Sequence, residues 1–153
     1  MGQSTPKEAL QGAQRDEFPS VVGVFACQVQ WGDCDPAGII FYPTYFRWAD
    51  AASWALFASV GCGPAWMRAE HMAMPLVSAE CQFLHPAGHG DRCEVRSRIA
   101  RFGGKSFVVA HEVVRADGTL LAKAKETRVW GRASRFRKSS SSAFARGNPA
   151  VLW

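Results

Sequence analysis

An uninterrupted apolar segment in the first half of the sequence constrains the fold more than any other feature. Between Tyr42 and Ser59 the chain has no glycine, and its only charged residues are Arg47 and Asp50. Pro43 suits the first position of a helix, where its missing N–H costs nothing. A helix that is apolar nearly all round has to be buried on most sides. The segment therefore predicts one long helix enclosed by the rest of the chain. Its most regular apolar face is formed by Tyr45, Trp48, Ala49, Ala52, Leu56 and Val60.

Alternating polar and apolar residues predict strands before and after this helix. The first strand covers residues 23–31, and a short helical segment is expected at residues 65–71. Four further strands are predicted at residues 75–84, 92–102, 105–115 and 119–130. Because the connections between these four are short, they are expected to pair antiparallel in chain order, as a meander. The predicted fold class is α+β, with one antiparallel sheet wrapped around one long central helix.

The chain length of 153 residues fits a single domain. We expect a flexible leader at residues 1–22, a folded domain at residues 23–131 and a basic, serine-rich tail at residues 132–153. The tail holds five basic residues and no acid, which accounts for the net charge of +5 and leaves the body neutral. A neutral body argues against a nucleic-acid partner. Apolar runs too short to span a bilayer argue against a membrane partner, and the lack of a signal-peptide pattern at the start favours a cytoplasmic location.

The cysteines and histidines indicate neither a disulfide framework nor a metal site. The five cysteines are odd in number and never spaced as Cys-x-x-Cys, which favours reduced thiols. His85 and His89 lie in a proline- and glycine-containing loop, so their spacing of four does not place them on one helical face. Cys34 lies between two aspartates, whose charge disfavours a thiolate. No Gly-x-Ser-x-Gly nucleophile motif occurs.

Asp33 and Asp35 are the remaining candidates for chemistry, because they lie in a turn just before the long helix. One interpretation is that both are ordinary turn and capping residues. The other is that a carboxylate faces the N–H groups of the helix start, which suit a developing oxyanion. Such a carboxylate can attack a carbonyl or activate water. A thioester is a fitting substrate, because a thiolate leaves at neutral pH without a general acid.

The residues around this turn carry a family resemblance. The segment from Trp31 to Ser53 contains Gly32-Asp33-Cys34-Asp35-Pro36-Ala37-Gly38, followed by the helix start Phe41-Tyr42-Pro43-Thr44-Tyr45. This segment closely resembles the 4-hydroxybenzoyl-CoA thioesterase family of the hotdog fold, and a weaker similarity continues to about Trp130. The resemblance implies the same architecture as the hydrophobic pattern, a sheet around a central helix.

The resemblance also implies roles for individual residues. Asp35 matches the catalytic carboxylate, and the backbone N–H of Tyr42 matches the oxyanion donor. Asp50 falls where the family has an aspartate near the ring hydroxyl of its substrate; the alternative is a helix-surface charge paired with Arg47 or Arg68. The positions Lys105 and Ser106 fall where the family binds the coenzyme A nucleotide. Gly103-Gly104 stands there in place of two expected cations, for which Arg101 is a candidate substitute.

The predicted function is an acyl-CoA thioesterase acting on an aromatic or short acyl group. No cofactor is expected, since coenzyme A is part of the substrate, and no metal is expected. The first alternative is a non-catalytic protein of the same fold that binds acyl-CoA or an acyl carrier. The second is a dehydratase, which the absence of a histidine from residues 41–59 disfavours. A homo-oligomer, a dimer or tetramer, is expected because an exposed strand edge invites pairing.

Overall fold

The long helix lies against an antiparallel sheet and contacts all five of its strands in the computed structural model, which describes residues 23–136. The predicted leader and residues 137–153 lie outside the described residues. The elements in chain order are β1 (Gly23–Gln28), α1 (Tyr42–Ser59), α2 (Pro64–Ala69), β2 (Met72–Ala73), β3 (Leu76–Phe83), β4 (Arg92–Phe102), β5 (Ser106–Arg115), β6 (Leu120–Val129) and β7 (Gly131–Arg132).

The order of the strands in the main sheet is β1-β4-β5-β6-β3. Only β4, β5 and β6 form the predicted meander, because β3 pairs antiparallel with β6 and not with β4. The reason lies in the connection from β3 to β4, which packs across the end of the sheet instead of turning tightly. Within it the Leu84 N–H donates to the Leu121 carbonyl, and the Ala87 carbonyl accepts from the Ile40 N–H. The chain thereby passes from the edge strand β3 to β4, which lies next to the opposite edge strand β1.

The core lies between α1 and the inward face of the sheet and has two parts. The first surrounds the N-terminal half of α1 and includes Tyr45, Trp48 and Val95. The second surrounds the C-terminal half of α1, where Leu56 and Phe57 form a cluster with the β5 residues Phe107 and Val109. Among the described residues, none of the helices combines the length and apolar character needed to cross a lipid bilayer.

Several predicted element ends differ from the observed ones by one or two residues, and two boundaries differ for a reason that the contacts explain. The first strand ends at Gln28, because Trp31–Asp33 forms a 3-10 turn closed by the Asp33 carboxylate. The predicted domain end at residue 131 falls inside a small second sheet, in which β7 pairs with β2. Beyond it, the Ala133 N–H donates to the His71 carbonyl over 2.7 Å. Residues 132 and 133 therefore make contacts of the fold rather than belonging to a separate tail.

Candidate active site

The turn between β1 and α1 is a small closed loop that fixes the position of Asp35. The Asp35 N–H donates to the Ile39 carbonyl and the Gly38 N–H donates to the Asp35 carbonyl, both over 2.9 Å. Gly38 has a φ of 78°, a conformation that glycine adopts without strain. A bridge between Cys34 and Ile40 closes the loop. The glycine and proline pattern of this segment thus produces a rigid support for one side chain.

The two aspartates of this turn have different environments. Asp33 is buried, its Oδ2 accepts from the Gln30 N–H over 2.8 Å, and its Oδ1 forms an ion pair with Arg47. Asp35 is half-buried, and its Oδ1 accepts from the Ala37 N–H over 2.8 Å. Within residues 23–136 the Oδ2 of Asp35 has no hydrogen-bond partner. Asp33 therefore fits the capping interpretation, whereas Asp35 keeps one carboxylate oxygen available for a ligand.

The start of α1 offers one free backbone donor beside this turn. Pro43 has no N–H, and the Thr44 N–H donates to the Phe41 carbonyl over 2.9 Å. The Tyr42 N–H makes no hydrogen bond to any described residue. It lies at the positive end of the helix dipole, where partial negative charge is stabilised. The structure thus leaves an unpaired carboxylate oxygen and an unpaired N–H at the two ends of the same short segment.

An open cleft of about 240 Å³ adjoins the start of α1. Complete ligand pockets usually measure about 300–1,000 Å³, so this cleft is smaller than a typical complete pocket. Burial raises the pKa of Tyr45 to about 12, which keeps its phenol neutral inside the cleft. Phe83 and Leu84, at the exposed edge of β3, form one wall and remain 49% and 38% exposed. The full lining is Ile39, Ile40, Tyr42, Tyr45, Phe83, Leu84, His85 and Pro86.

A larger depression of about 700 Å³ lies on the outer face of the sheet, away from α1. Its rim is charged, with Arg96, Arg98, Lys123 and Lys125 among the lining residues. None of the predicted site residues lines it. Neither Asp35 nor Tyr42 therefore lines the larger cavity, and Tyr42 is the predicted catalytic residue that lines the smaller cleft.

The predicted nucleotide-binding residues lie far from Asp35 within one chain. Arg101, Lys105 and Ser106 are at the hairpin between β4 and β5, whose neighbour Phe107 packs with the C-terminal half of α1. Asp35 is beside the N-terminus of α1, which is about 27 Å long at 1.5 Å per residue. The structure therefore does not bring the two groups of residues together in a single subunit.

Asp50 is placed on α1 with its side chain half-exposed, and its partner is neither Arg47 nor Arg68. Its Oδ1 accepts from Nη2 of the buried Arg128 over 2.5 Å. Arg128 also donates to the Glu126 carboxylate from Nε and Nη2, over 3.0 and 2.9 Å. The alternative of a helix-surface ion pair with Arg47 or Arg68 is thus wrong, because the pairing cation comes from β6.

Glu126 and Arg128 belong to a buried polar network that the sequence interpretation missed. Ser53 Oγ donates to Glu126 Oε2 over 2.6 Å, and His111 Nε2 lies 3.7 Å from the same oxygen. The other ring nitrogen of His111 is 2.8 Å from Ser97 Oγ. Burial of the Glu126 carboxyl opposes its ionisation, but contact with His111, the Ser53 hydroxyl and Arg128 outweighs it and lowers the pKa of Glu126.

A signal for this network was present in the sequence. In β6, Glu126 and Arg128 share the alternating inward face with Ala122 and Ala124, while Lys123 and Lys125 lie on the outer face. Charged residues with the inward parity of a strand indicate a buried ion pair rather than a solvated surface.

The thiols and histidines do not form a second centre. Burial raises the pKa of Cys27 to about 12 and the pKa values of Cys81 and Cys93 to about 11, so these thiols are poor nucleophiles at neutral pH. His89 stacks on Trp31 with 4.0 Å between ring centroids. Among residues 23–136 no cluster of three or more histidine, cysteine or acidic side chains could hold a metal ion.

Comparison with known proteins gives matches over most of the chain. Residues 29–144 match the family model of the Thioesterase-like superfamily. The sequence is 36% identical over 111 residues to 4-hydroxybenzoyl-CoA thioesterase from Pseudomonas sp. strain CBS-3, covering 67% of this chain and 78% of that protein.

Solved structures give matches of the same kind. A gentisyl-coenzyme A thioesterase superimposes with a TM-score of 0.67 at 33% identity, covering 71% of this chain and 88% of that one. A 1,4-dihydroxy-2-naphthoyl-CoA thioesterase from Synechocystis gives 0.68 at 25% identity, covering 77% and 88%. A mutant 4-hydroxybenzoyl-CoA thioesterase complexed with 4-hydroxybenzoyl-CoA gives 0.68 at 33% identity, covering 72% and 84%.

Proposed function

The chain belongs to the Thioesterase-like superfamily and is a thioester hydrolase of the hotdog fold, and from this premise we propose that it hydrolyses aromatic acyl-CoA thioesters whose ring carries a hydroxyl group. The matches confirm the resemblance noted around Asp35. The substrate class is supported by the names of three relatives, which act on 4-hydroxybenzoyl, gentisyl and 1,4-dihydroxy-2-naphthoyl thioesters. All three acyl groups are hydroxylated aromatic groups.

The mechanism rests on two groups near the start of α1, one oxygen of the Asp35 carboxylate and the backbone N–H of Tyr42. Neither group has a hydrogen-bond partner within residues 23–136, so both can contact a substrate. In the proposed reaction the Tyr42 N–H donates to the thioester oxygen as it becomes an oxyanion. The Asp35 carboxylate either attacks the carbonyl carbon itself or removes a proton from the attacking water. The carbon–sulfur bond then breaks and coenzyme A leaves as a thiolate, which takes up a proton. In the general-base route the attacking water supplies the new oxygen of the carboxylic acid, and the proton held by Asp35 is returned to the thiolate or to solvent. In the nucleophilic route the acyl group is first joined to Asp35 as a mixed anhydride, and a water molecule then hydrolyses this anhydride, which releases the acid and restores the carboxylate.

Release of free thiol from a panel of acyl-CoA thioesters tests this proposal. Asp35→Asn is expected to lower kcat about 100-fold or more with the melting temperature preserved, because loss of one key group typically has that effect. Asp117→Asn is the matched control, since its Oδ1 also accepts the N–H two residues ahead in an exposed turn. Near-normal turnover by Asp35→Asn would contradict the assignment. Tight acyl-CoA binding by the wild type without hydrolysis would favour the alternative of a binding protein.

We further propose that the substrate binds across two subunits. In one chain the cleft beside Tyr42 is open along the edge of β3, and the Lys105 hairpin is at the other end of α1. If two β3 edges pair antiparallel about a two-fold axis, the helices also run antiparallel. Each Asp35 then approaches the Arg101, Lys105 and Ser106 end of the partner subunit. In this arrangement these three residues bind the nucleotide part of coenzyme A. The Asp50 carboxylate accepts a hydrogen bond from the ring hydroxyl of the acyl group.

A further inference from the structure

The contacts of Arg128 single it out from the other charged residues of the described chain. It is 2% exposed, although a buried guanidinium carries a large desolvation cost. The guanidinium of Arg128 donates hydrogen bonds to the Glu126 carboxylate, to the Met74 carbonyl over 3.2 Å and to the Asp50 carboxylate. The rings of Trp54 and Phe57 lie 5.7 and 5.8 Å from its central carbon, within the range of cation–π attraction. Contacts on all of these sides leave the guanidinium one orientation.

Charge balance alone does not explain the contact with Asp50. Glu126 is itself buried and accepts from two nitrogens of Arg128, so the cation is already neutralised without a second carboxylate. The contact with Asp50 is a single hydrogen bond to Oδ1, at the point where the buried network reaches the surface. It restrains a side chain that is otherwise 52% exposed.

The other oxygen of Asp50 is available to a ligand. Oδ2 has no hydrogen-bond partner within the described part of the chain. An ionised carboxylate only accepts hydrogen bonds, and its natural partner on a hydroxylated ring is the hydroxyl group. Eight residues separate Asp50 from Tyr42, which corresponds to about 12 Å along the helix. Asp50 is therefore set apart from the oxyanion donor, on the same rigid element.

We infer that Arg128, held by Glu126, is a positioning residue that orients Asp50 to accept a hydrogen bond from the ring hydroxyl of the acyl group. The inference rests on the proposed function. It adds that Arg128, by orienting the Asp50 carboxylate, determines the preference for a hydroxylated ring. Ser53 and His111 act behind it, because both contact the Glu126 oxygen that also receives two hydrogen bonds from Arg128. A ring that lacks the hydroxyl makes no use of this arrangement.

The test compares kcat/KM for 4-hydroxybenzoyl-CoA with kcat/KM for benzoyl-CoA, and the ratio defines the hydroxyl preference. Arg128→Lys keeps the charge but loses the planar array of donors. It is expected to lower the preference about tenfold while turnover of benzoyl-CoA stays near normal, because a hydrogen bond to a misplaced carboxylate is lost. Asp50→Ala is expected to lower the preference at least as much, and Arg128→Lys in the Asp50→Ala background is expected to change it no further.

A second variant covers the case in which Arg128→Lys does not fold. The double substitution Glu126→Gln/Arg128→Met removes both buried charges together, which proteins tolerate better than the loss of one partner. It removes the hydrogen bond from residue 128 to the Asp50 carboxylate. The hydroxyl preference is therefore expected to fall about tenfold, as in Arg128→Lys. Equal losses on both substrates, or a further loss of preference in the Asp50→Ala background, would show a merely structural role and overturn the inference.

The outcome is separable from that of the proposed function. A wild-type protein that hydrolyses both substrates with equal kcat/KM is a thioesterase without a hydroxyl preference, and that result overturns the inference alone. A wild-type protein that hydrolyses no acyl-CoA overturns the proposed function and the inference together. A preference of tenfold or more that disappears in the Asp50 and Arg128 variants supports both.

Discussion

Lys105 illustrates how a single exposed residue acquires a role from its place in a hairpin. A side chain on the nearby Gly103 would meet Ser106 Oγ at 2.6 Å, so the serine side chain would have to rotate to make room for it. Gly104 has open space around it, which leaves the backbone accessible to a phosphate. Lys105 is exposed beside this opening and is a suitable point charge for an anionic ligand.

Lys105→Ala is expected to raise KM for an acyl-CoA several-fold with little change in kcat. A contact with the nucleotide is made equally in the ground and transition states, so it contributes to binding and not to the chemical step. The effect is expected to weaken at high salt, because exposed charges are screened. Steady-state kinetics on an acyl-CoA and on the matching acyl-pantetheine, which lacks the nucleotide, measure it. Lys123→Ala, on the outer face of the sheet, is the control; an equal effect of Lys105→Ala on both substrates would exclude a phosphate contact.

Glu126 is expected to make the stability of the fold depend on pH. Its pKa is lower in the folded protein than the value of about 4.3 typical of an unfolded chain. The group therefore stabilises the fold above that value, and this contribution is lost as the pH falls through the folded pKa. Glu126→Gln is expected to lower the free energy of unfolding by roughly 3 kcal/mol at neutral pH. Denaturation from pH 7 to pH 3 should show the difference from wild type shrinking below about pH 4, whereas Glu112→Gln on the outer face gives a small, constant difference.

At the scale of elements, local patterns predicted α1 and β4 with their observed bounds, because both depend on sequence periodicity. The pairing of β3 with β6 was not predictable in the same way, since alternation shows which face a strand buries and not which strand it neighbours. The contacts of Asp50 were missed for a related reason. A charged residue on a strand resembles a solvated one until the parity of its neighbours is taken into account.

The small sheet formed by β2 and β7 gives a prediction about chain truncation. A chain ending at Gly131 loses the pairing of Arg132 with Met72 and the hydrogen bond from Ala133 to His71. One such bond contributes about 1 kcal/mol, which corresponds to about 4 °C in a domain of roughly 100 residues. Calorimetry should therefore show a lower melting temperature for the chain ending at Gly131 than for one ending at Phe136. Identical melting temperatures would mean that this sheet contributes nothing to stability.

At the scale of the whole molecule, the two edges of the main sheet differ. The β3 edge exposes several large apolar side chains, whereas β1 exposes only Val24 to a similar degree. A long apolar edge strand is a site of pairing with another chain. The apolar residues along the β3 edge are Leu76, Val77, Phe83 and Leu84.

Val77→Lys is expected to dissociate the protein toward a species near its chain mass of 16.8 kDa. In the proposed dimer the introduced lysines of the two subunits face the same interface, where their charges would be desolvated and repel each other. Val24→Lys is the matched control, because Val24 is 53% exposed and Val77 is 61% exposed, on opposite edges. Light scattering at micromolar concentration measures the mass, and a wild type that is active at the mass of one chain would contradict the shared site.

Mixing two inactive or weakened variants tests directly whether the site is shared. When Asp35→Asn and Lys105→Ala chains exchange subunits, half of the sites in each mixed dimer combine Asp35 from one chain with Lys105 of the partner subunit. Those sites are intact, so a phase with the wild-type KM for acyl-CoA should appear on mixing, although neither variant shows it alone. If Lys105 served the Asp35 of its own chain, no mixed site would contain both residues and the low KM would not return. The position of Lys105 at the far end of α1 from Asp35 leads us to expect recovery.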